Sequence, residues 1–148
     1  MAYLSNLDNW LVVLATIAIV SICVGLHYEV LSLCNRYLPT LSYRRRPRVL
    51  ILICVVLLAH IAEIWVFGAG FYLLAGNEAL GGVVGLPTAD LPDFVYFSAI
   101  TYATVGFGDA VPVGAIRFLA GVEALTGFVM ITWSASYTFL EMQRDWSR

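Results

Sequence analysis

The chain has 148 residues, a length that fits one domain, and 61% of them are apolar while only 12% are charged. These proportions exclude an ordinary soluble protein and indicate a membrane protein. The formal net charge is only −2, so the composition offers no general attraction for nucleic acid.

Three apolar segments are long enough to cross a bilayer, which takes about 20 residues of helix. The first lies within residues 1–35 and runs from about Trp10 to Leu33, the second covers 49–74, and the third covers 115–140. The sequence therefore predicts an all-α transmembrane protein with three membrane-spanning helices. The three cysteines lie in or beside these segments without paired spacing, which predicts buried reduced thiols.

The placement of arginines predicts the orientation of the chain. Seven of the eight lie in the connection at 36–48 or after the third segment, and arginines favour the cytoplasmic side. We therefore expect a multi-pass protein of a bacterial-type plasma (inner) membrane, with the N-terminus outside and the C-terminus cytoplasmic. The arginines interpreted as a topology anchor, or alternatively as a site for anionic lipid, are Arg44, Arg45, Arg46 and Arg48.

The region between the second and third segments is too broken to span the membrane. Glycines between residues 75 and 90 predict a flexible external turret. A short helix over 91–103 follows, with Asp90 as its cap, Pro92 in its first turn and Asp93 at the capping-box position. This helix is about half as long as a span, so we expect a re-entrant pore helix.

The loop at 104–109, directly after this helix, has regularly spaced glycines. Successive carbonyls of an ordinary strand point to opposite sides. Glycine reaches positive φ without a Cβ clash, so Gly106 and Gly108, which alternate with larger residues, can turn every carbonyl to one side. The resulting column of oxygens, to which Thr104 adds its hydroxyl, can replace the water around a dehydrated monovalent cation. The spacing is compatible with a selectivity filter, and the similarity of this loop to the potassium-channel filter implies that role.

With a helix, a glycine-spaced loop and another helix in this order, residues 49–140 resemble the pore module of potassium channels. The motif at 96–109 is especially similar to the pore loops of two-pore-domain and small bacterial potassium channels. The resemblance implies passive conduction of K⁺, no enzymatic activity, and no cofactor besides the permeant ion. One pore loop per chain implies a homotetramer. By the same resemblance, the ion-coordinating residues are Thr104, Val105, Gly106, Phe107 and Gly108.

Side chains around the loop depart from the family pattern. Phe107 stands at the family's usual tyrosine position and Phe97 where many relatives have tryptophan, so we expect this contact to depend on aromatic packing and not on a hydrogen bond. The hydroxyl of Tyr96 is expected to reach Asp109. The residues expected to support the filter are Tyr96, Phe97, Thr101, Asp109 and Glu123.

The third segment contains an intramembrane carboxylate, Glu123, which needs a partner or water. Its resemblance to glutamates of bacterial relatives implies a brace to the pore helix or the outer helix, with a proton-sensing gate as the alternative. Gly127, one turn later, is either a hinge or a position of close helix packing. The inner-helix residues expected to line a cavity are Phe128, Ile131, Ala135 and Phe139.

Four ionisable residues of the first two segments form a second group: His27, Glu29, His60 and Glu63. His60 and Glu63 share a helix face, and His27 is expected at a depth similar to that of His60. Such a set can bind a metal ion or sense pH, but a satisfied polar bridge between helices is the more frequent role. His27 and Glu29 point about 200° apart around a helix, which argues against both binding one metal ion.

Three other functions remain open alongside a potassium channel. A non-selective monovalent cation channel would need an altered filter, which this sequence does not have. A membrane enzyme, or a non-conducting scaffold with a metal or proton site, would use the histidines and glutamates instead. A non-conducting regulatory subunit would retain the architecture without ion flux.

Overall fold

The computed structural model describes residues 7–40 and 45–146. Within these residues the helices are, in chain order, α1 (Leu7–Tyr37), α2 (Arg45–Ala75), α3 (Leu91–Tyr102) and α4 (Arg117–Trp146). Three of them contain stretches long and apolar enough to cross a membrane, at Asn9–Tyr37, Pro47–Ala75 and Arg117–Arg144. The three apolar helices predicted from the sequence are therefore present.

The connection between α1 and α2 is shorter than the predicted loop at 36–48. α1 continues to Tyr37, a 3-10 turn follows at Leu38–Thr40, and α2 has already begun at Arg45. The apolar length of a segment marks what can lie in a bilayer, whereas helical hydrogen bonding continues into the polar residues beyond it. Apolar length alone therefore places the end of α1 too early and the start of α2 too late.

α4 likewise extends past its predicted end near residue 140 and finishes at Trp146. Arg144 lies in the last turn of α4, and Arg36 lies in the last turn of α1. A cation at the C-terminal end of a helix interacts favourably with the partial negative charge of the last carbonyls. Arg36 and Arg144 therefore stabilise the C-terminal ends of α1 and α4.

The segments before α3 and after the 104–109 loop pair as a two-stranded antiparallel sheet, formed by β1 (Gly81–Val84) and β2 (Val111–Gly114). The prediction of a flexible turret at 75–90 is therefore wrong for this part, where a 3-10 turn at Glu78–Leu80 leads into β1. The two strands lie very close, because a Cβ on Gly114 would lie only 2.7 Å from the Cα of Gly81. Glycine here permits close strand approach.

α3 begins at its predicted cap, where the Asp90 side chain accepts the N–H of Asp93 at 3.1 Å. Rather than closing the predicted capping box on Asp90, the Asp93 carboxylate accepts the N–H of Thr88 at 2.8 Å, its hydroxyl at 2.9 Å and the N–H of Ala89 at 2.9 Å. These bonds, first that from the Thr88 N–H, hold the pKa of the Asp93 carboxyl below its usual range. The contacts of the Asp93 carboxylate with Thr88 and Ala89 are lost only when the pH falls through this lowered pKa.

α3 packs against both α2 and α4, and its inward side chains are buried. A Cβ on Gly68 of α2 would lie 2.8 Å from the Cα of Val95, so only glycine permits this approach between the two helices. The buried residues of α3 are Phe94, Phe97, Ser98, Ile100 and Tyr102.

α1 packs against α2 and α4 through a single face. Its buried positions recur at intervals of three, four or seven residues, which is the spacing of one helical stripe. They are Val12, Thr16, Cys23, His27, Leu31 and Cys34. α1 is therefore an addition to the α2–α3–α4 unit, fixed to it along one side.

Candidate functional site

In the loop that follows α3, residues with positive φ alternate with residues that do not have positive φ. φ is positive at Thr104 (57°), Gly106 (53°) and Gly108 (84°). The positive φ predicted for the two glycines is present. The alternation begins two residues before Gly106, at Thr104. Such alternation is the condition under which successive carbonyls of one chain can point the same way.

The start of the loop is tied to the last turn of α3. The N–H groups of Val105 and Gly106 both donate to the Ile100 carbonyl, at 2.9 and 3.1 Å. The N–H of Thr104 donates to the Thr101 carbonyl at 2.9 Å. These bonds hold Thr104 in a left-handed conformation that costs a non-glycine residue about 1–2 kcal/mol.

The far end of the loop is held by the hydrogen bond predicted from the sequence. The Tyr96 hydroxyl donates to Asp109 Oδ2 at 2.6 Å, which confirms that contact. This bond is the main reason that the pKa of the Tyr96 phenol is raised. The Phe97 ring instead lies edge-on to Phe71 of α2, with 4.9 Å between ring centroids, while Phe107 is exposed, so the aromatic packing predicted around the filter stays a prediction.

Glu123 is fully buried on α4 and contacts α3, as predicted for a brace. Ser98 Oγ lies 2.5 Å from Glu123 Oε1 and 2.9 Å from the Ile64 carbonyl of α2. Ser98 has one proton for two acceptors, so both contacts are satisfied when Glu123 is protonated and donates to Ser98. A neutral Glu123 also avoids an isolated charge in the bundle. Sequence reasoning did not identify Ser98 as the partner.

Gly127 is a contact point between α4 and the end of α3. A Cβ at this position would collide with the Tyr102 carbonyl oxygen, and it would lie 2.8 Å from the carbonyl carbon. α4 is helical without interruption through Gly127. Of the two alternatives that the sequence left open, the geometry favours close packing over a hinge.

The α4 face predicted to line a cavity is exposed in the single chain. Part of it borders an apolar groove of about 550 Å³ between α2 and α4. The role in a cavity stays a prediction. The predicted residues on this face are Phe128, Ile131, Ala135 and Phe139, of which the last three line the groove.

His27 of α1 meets His60 and Glu63 of α2 inside the bundle. His27 Nδ1 lies 2.9 Å from Glu63 Oε1, and His60 Nδ1 lies 3.3 Å from Glu63 Oε2. The imidazole centroids are 5.2 Å apart, which confirms the predicted similar depth. Glu29 is exposed, so its assignment to this group is wrong. The angular separation around α1 explains this difference.

Two hydroxyls that sequence reasoning did not assign to this group complete it. The Tyr102 hydroxyl donates to Glu63 and lies 2.9 Å from His60 Nδ1. Ser134 Oγ of α4 lies 3.0 Å from His27 Nε2 and 3.1 Å from His60 Nε2. The one available signal was that a hydroxyl in an apolar helix needs a partner, and that signal does not say which partner. We call these five residues the buried polar cluster.

The predicted arginine anchor falls largely outside the described residues. Arg44 lies outside them, and for Arg45 and Arg46 only the backbone is described. Arg48 borders a small pocket together with Leu38, which directly follows α1, and Glu141 of α4, so these three helix ends are neighbours. Binding of anionic lipid by this group stays a prediction.

Comparison with known proteins gives one family and two partial relatives. A family model described as "Ion channel" matches residues 51–144. Protein LctB of Bacillus caldotenax is 45% identical over 40 residues, which are 27% of this chain and 30% of the relative. Protein LctB of Geobacillus stearothermophilus is 48% identical over 40 residues, with the same coverage. The chain therefore matches under a third of the length of either relative, and no solved structure matches significantly.

Proposed function

The chain belongs to the ion channel family, whose model covers residues 51–144, and on this premise we propose that it is a potassium-selective channel. In this proposal K⁺ sheds its water into rings of oxygens and moves by repulsion between neighbouring ions. The observation that carries the proposal is the alternating positive φ of the loop after α3. The residues that would coordinate K⁺ are Thr104, Val105, Gly106, Phe107 and Gly108.

The proposal includes assembly as a homotetramer around the loop. Val105 and Phe107 are 54% and 70% exposed, so the single chain leaves the loop open. Non-helical backbone at membrane depth is tolerated only where protein covers it or where it lines a water-filled path. A groove of about 450 Å³ beside the loop, bordered by Thr101 and Ala124, offers a place for a neighbouring copy. Four copies would give both the covering and the path.

The same proposal places the chain in a plasma (inner) membrane with the C-terminus in the cytoplasm. Arg36, Arg48 and Arg144 lie at the neighbouring ends of α1, α2 and α4. Arginines next to spans favour the cytoplasmic side, so this end would be cytoplasmic and the Tyr96–Asp109 contact would lie near the outside.

Reconstituted ion flux tests the proposed function. Purified protein in a planar bilayer, with K⁺ on one side and Na⁺ on the other, should give a reversal potential close to the potassium equilibrium potential. Barium should block the current. A reversal potential near zero would instead identify a non-selective cation channel, and flux no greater than that of protein-free bilayers would identify a scaffold or regulatory subunit.

Tyr96→Phe should accelerate the decay of current during sustained recording several-fold, because the outer end of the loop loses its bond to Asp109. In the wild type this bond needs the phenol proton, whose pKa is raised by the same contact. The bond is therefore present below the ordinary tyrosine pKa and is lost as the pH rises through the raised value. Alkaline pH should speed decay in the wild type and have little further effect in Tyr96→Phe.

The matched control is Tyr72→Phe, because phenylalanine preserves the edge-on packing of this ring against Phe94. Its decay should equal that of the wild type. The interpretation of Tyr96 fails if Tyr96→Phe decays at the wild-type rate.

A further inference from the structure

The buried polar cluster joins all four helices at the level where α3 ends. It takes His27 from α1, His60 and Glu63 from α2, Tyr102 from α3 and Ser134 from α4. His27 and Glu63 are 1% and 0% exposed. Ionisable groups in such surroundings are costly, so their accumulation at one point indicates a function besides packing.

Ser134 limits where the imidazole protons can lie. Its Oγ is within 3.1 Å of both imidazole Nε2 atoms. A hydroxyl can donate to only one of them, because it has one proton, but it can accept from both. When both rings donate Nε2–H to Ser134, both Nδ1 atoms are unprotonated and face the Glu63 carboxylate, so a cation between them would be bound by all three groups. A metal-bound histidine typically has its other ring nitrogen fixed by such an acceptor.

Both Nδ1 atoms face the same carboxylate. They lie 2.9 and 3.3 Å from the two oxygens of Glu63. In tetrahedral zinc sites, metal–nitrogen bonds of 2.0–2.1 Å place neighbouring ligand atoms about 3.3 Å apart. One ligand atom from each of His27, His60 and Glu63 lies within 4.8 Å of the others. The two nitrogen–oxygen distances are therefore close to the spacing of ligand atoms around a tetrahedral metal ion.

We propose that His27, His60 and Glu63 form a binding site for a divalent transition-metal ion of the Zn²⁺ class, with the Tyr102 oxygen beside the fourth position. Two imidazoles and a carboxylate are a ligand set that suits Zn²⁺ and leaves one position open. His60 and Tyr102 border the apolar groove between α2 and α4, which gives an entry path. None of the three ligands is among the residues proposed to coordinate K⁺, and metal retention can be measured without ion flux.

The test measures metal retention by the full chain without a histidine tag, in detergent. After incubation with ZnCl₂ and desalting, mass spectrometry should find about one Zn²⁺ per chain. His27→Gln and Glu63→Gln should each weaken binding more than about tenfold. Since the chain contains only two histidines, no other imidazole can replace the lost ligand. Glu29→Gln is the matched control, because Glu29 is exposed on the same helix, and it should bind like the wild type.

Cobalt gives a second readout that needs only the wild-type protein, so misfolded variants would not leave the proposal undecided. Co²⁺ at this site should show the intense visible bands of a tetrahedral complex. The weak bands of aqueous Co²⁺, or no Zn²⁺ above that of the buffer, would overturn the proposal. Cys23 lies beside the Glu63 backbone, so loss of binding in Cys23→Ala would assign the metal to a thiol instead and would also overturn it.

Discussion

Gly127→Ala should destabilise the folded chain by about 3 kcal/mol and should also remove conduction. The added Cβ meets backbone at the end of α3, because it would collide with the Tyr102 carbonyl oxygen and lie 2.9 Å from the Tyr102 Cγ. Alanine improves helix propensity by about 1 kcal/mol, which does not offset the displacement of two packed helices. Thermal melting of the purified protein in detergent measures the loss, and bilayer recording measures its effect on ion flux.

Gly25→Ala is the control for this experiment, because a Cβ on Gly25 of α1 meets nothing within 4 Å. It should be neutral or stabilise by up to about 1 kcal/mol. The comparison also separates the two interpretations of Gly127. If Gly127→Ala melts like Gly25→Ala but changes channel opening, the packing interpretation is wrong and the hinge is supported.

The features that sequence reasoning predicted are those with a local or periodic cause. Apolar length predicted the three long helices. Asp90 was predicted as a helix cap because its carboxylate can accept the backbone N–H three residues later. The contacts from Tyr96 to Asp109 and from Glu123 to α3 were predicted because these residues occupy matching positions in the channel family that the sequence resembles. In both contacts the partners are fixed by α3, whose position in the chain is evident from its cap and its length.

Features that depend on how separate helices meet were not predictable. Tyr102 and His60 are 42 residues apart, and Ser134 and His27 are 107 apart, so no local pattern brings them together. The sheet was missed because β1 and β2 are short and glycine-rich, and glycine in isolation indicates flexibility. The left-handed Thr104 was also missed, because threonine adopts that conformation only where tertiary bonds impose it.

Gly106→Ala should reduce potassium flux at least about a hundredfold while leaving the fold of each chain intact. The residue has φ of 53°, and a Cβ there meets nothing within 4 Å of the same chain, so a single subunit has room for alanine. The left-handed conformation costs an alanine about 1–2 kcal/mol. In the proposed tetramer this cost applies four times around one axis, and each 1.36 kcal/mol corresponds to about a tenfold change in rate. The strain is relieved when peptides turn their oxygens away from the path.

Gly82→Ala isolates this effect from a general loss of glycine. Gly82 lies in β1, its φ is not in the left-handed region, and a Cβ on it meets nothing within 4 Å. It should conduct like the wild type, both variants should elute alike in detergent, and any lower melting temperature of Gly106→Ala should correspond to no more than its strain of about 1–2 kcal/mol. If Gly106→Ala conducts K⁺ over Na⁺ as well as Gly82→Ala does, the backbone oxygens at 104–108 are not the selective element. Because the conformation of this loop is the observation behind the potassium proposal, selectivity would then have to arise elsewhere in the chain.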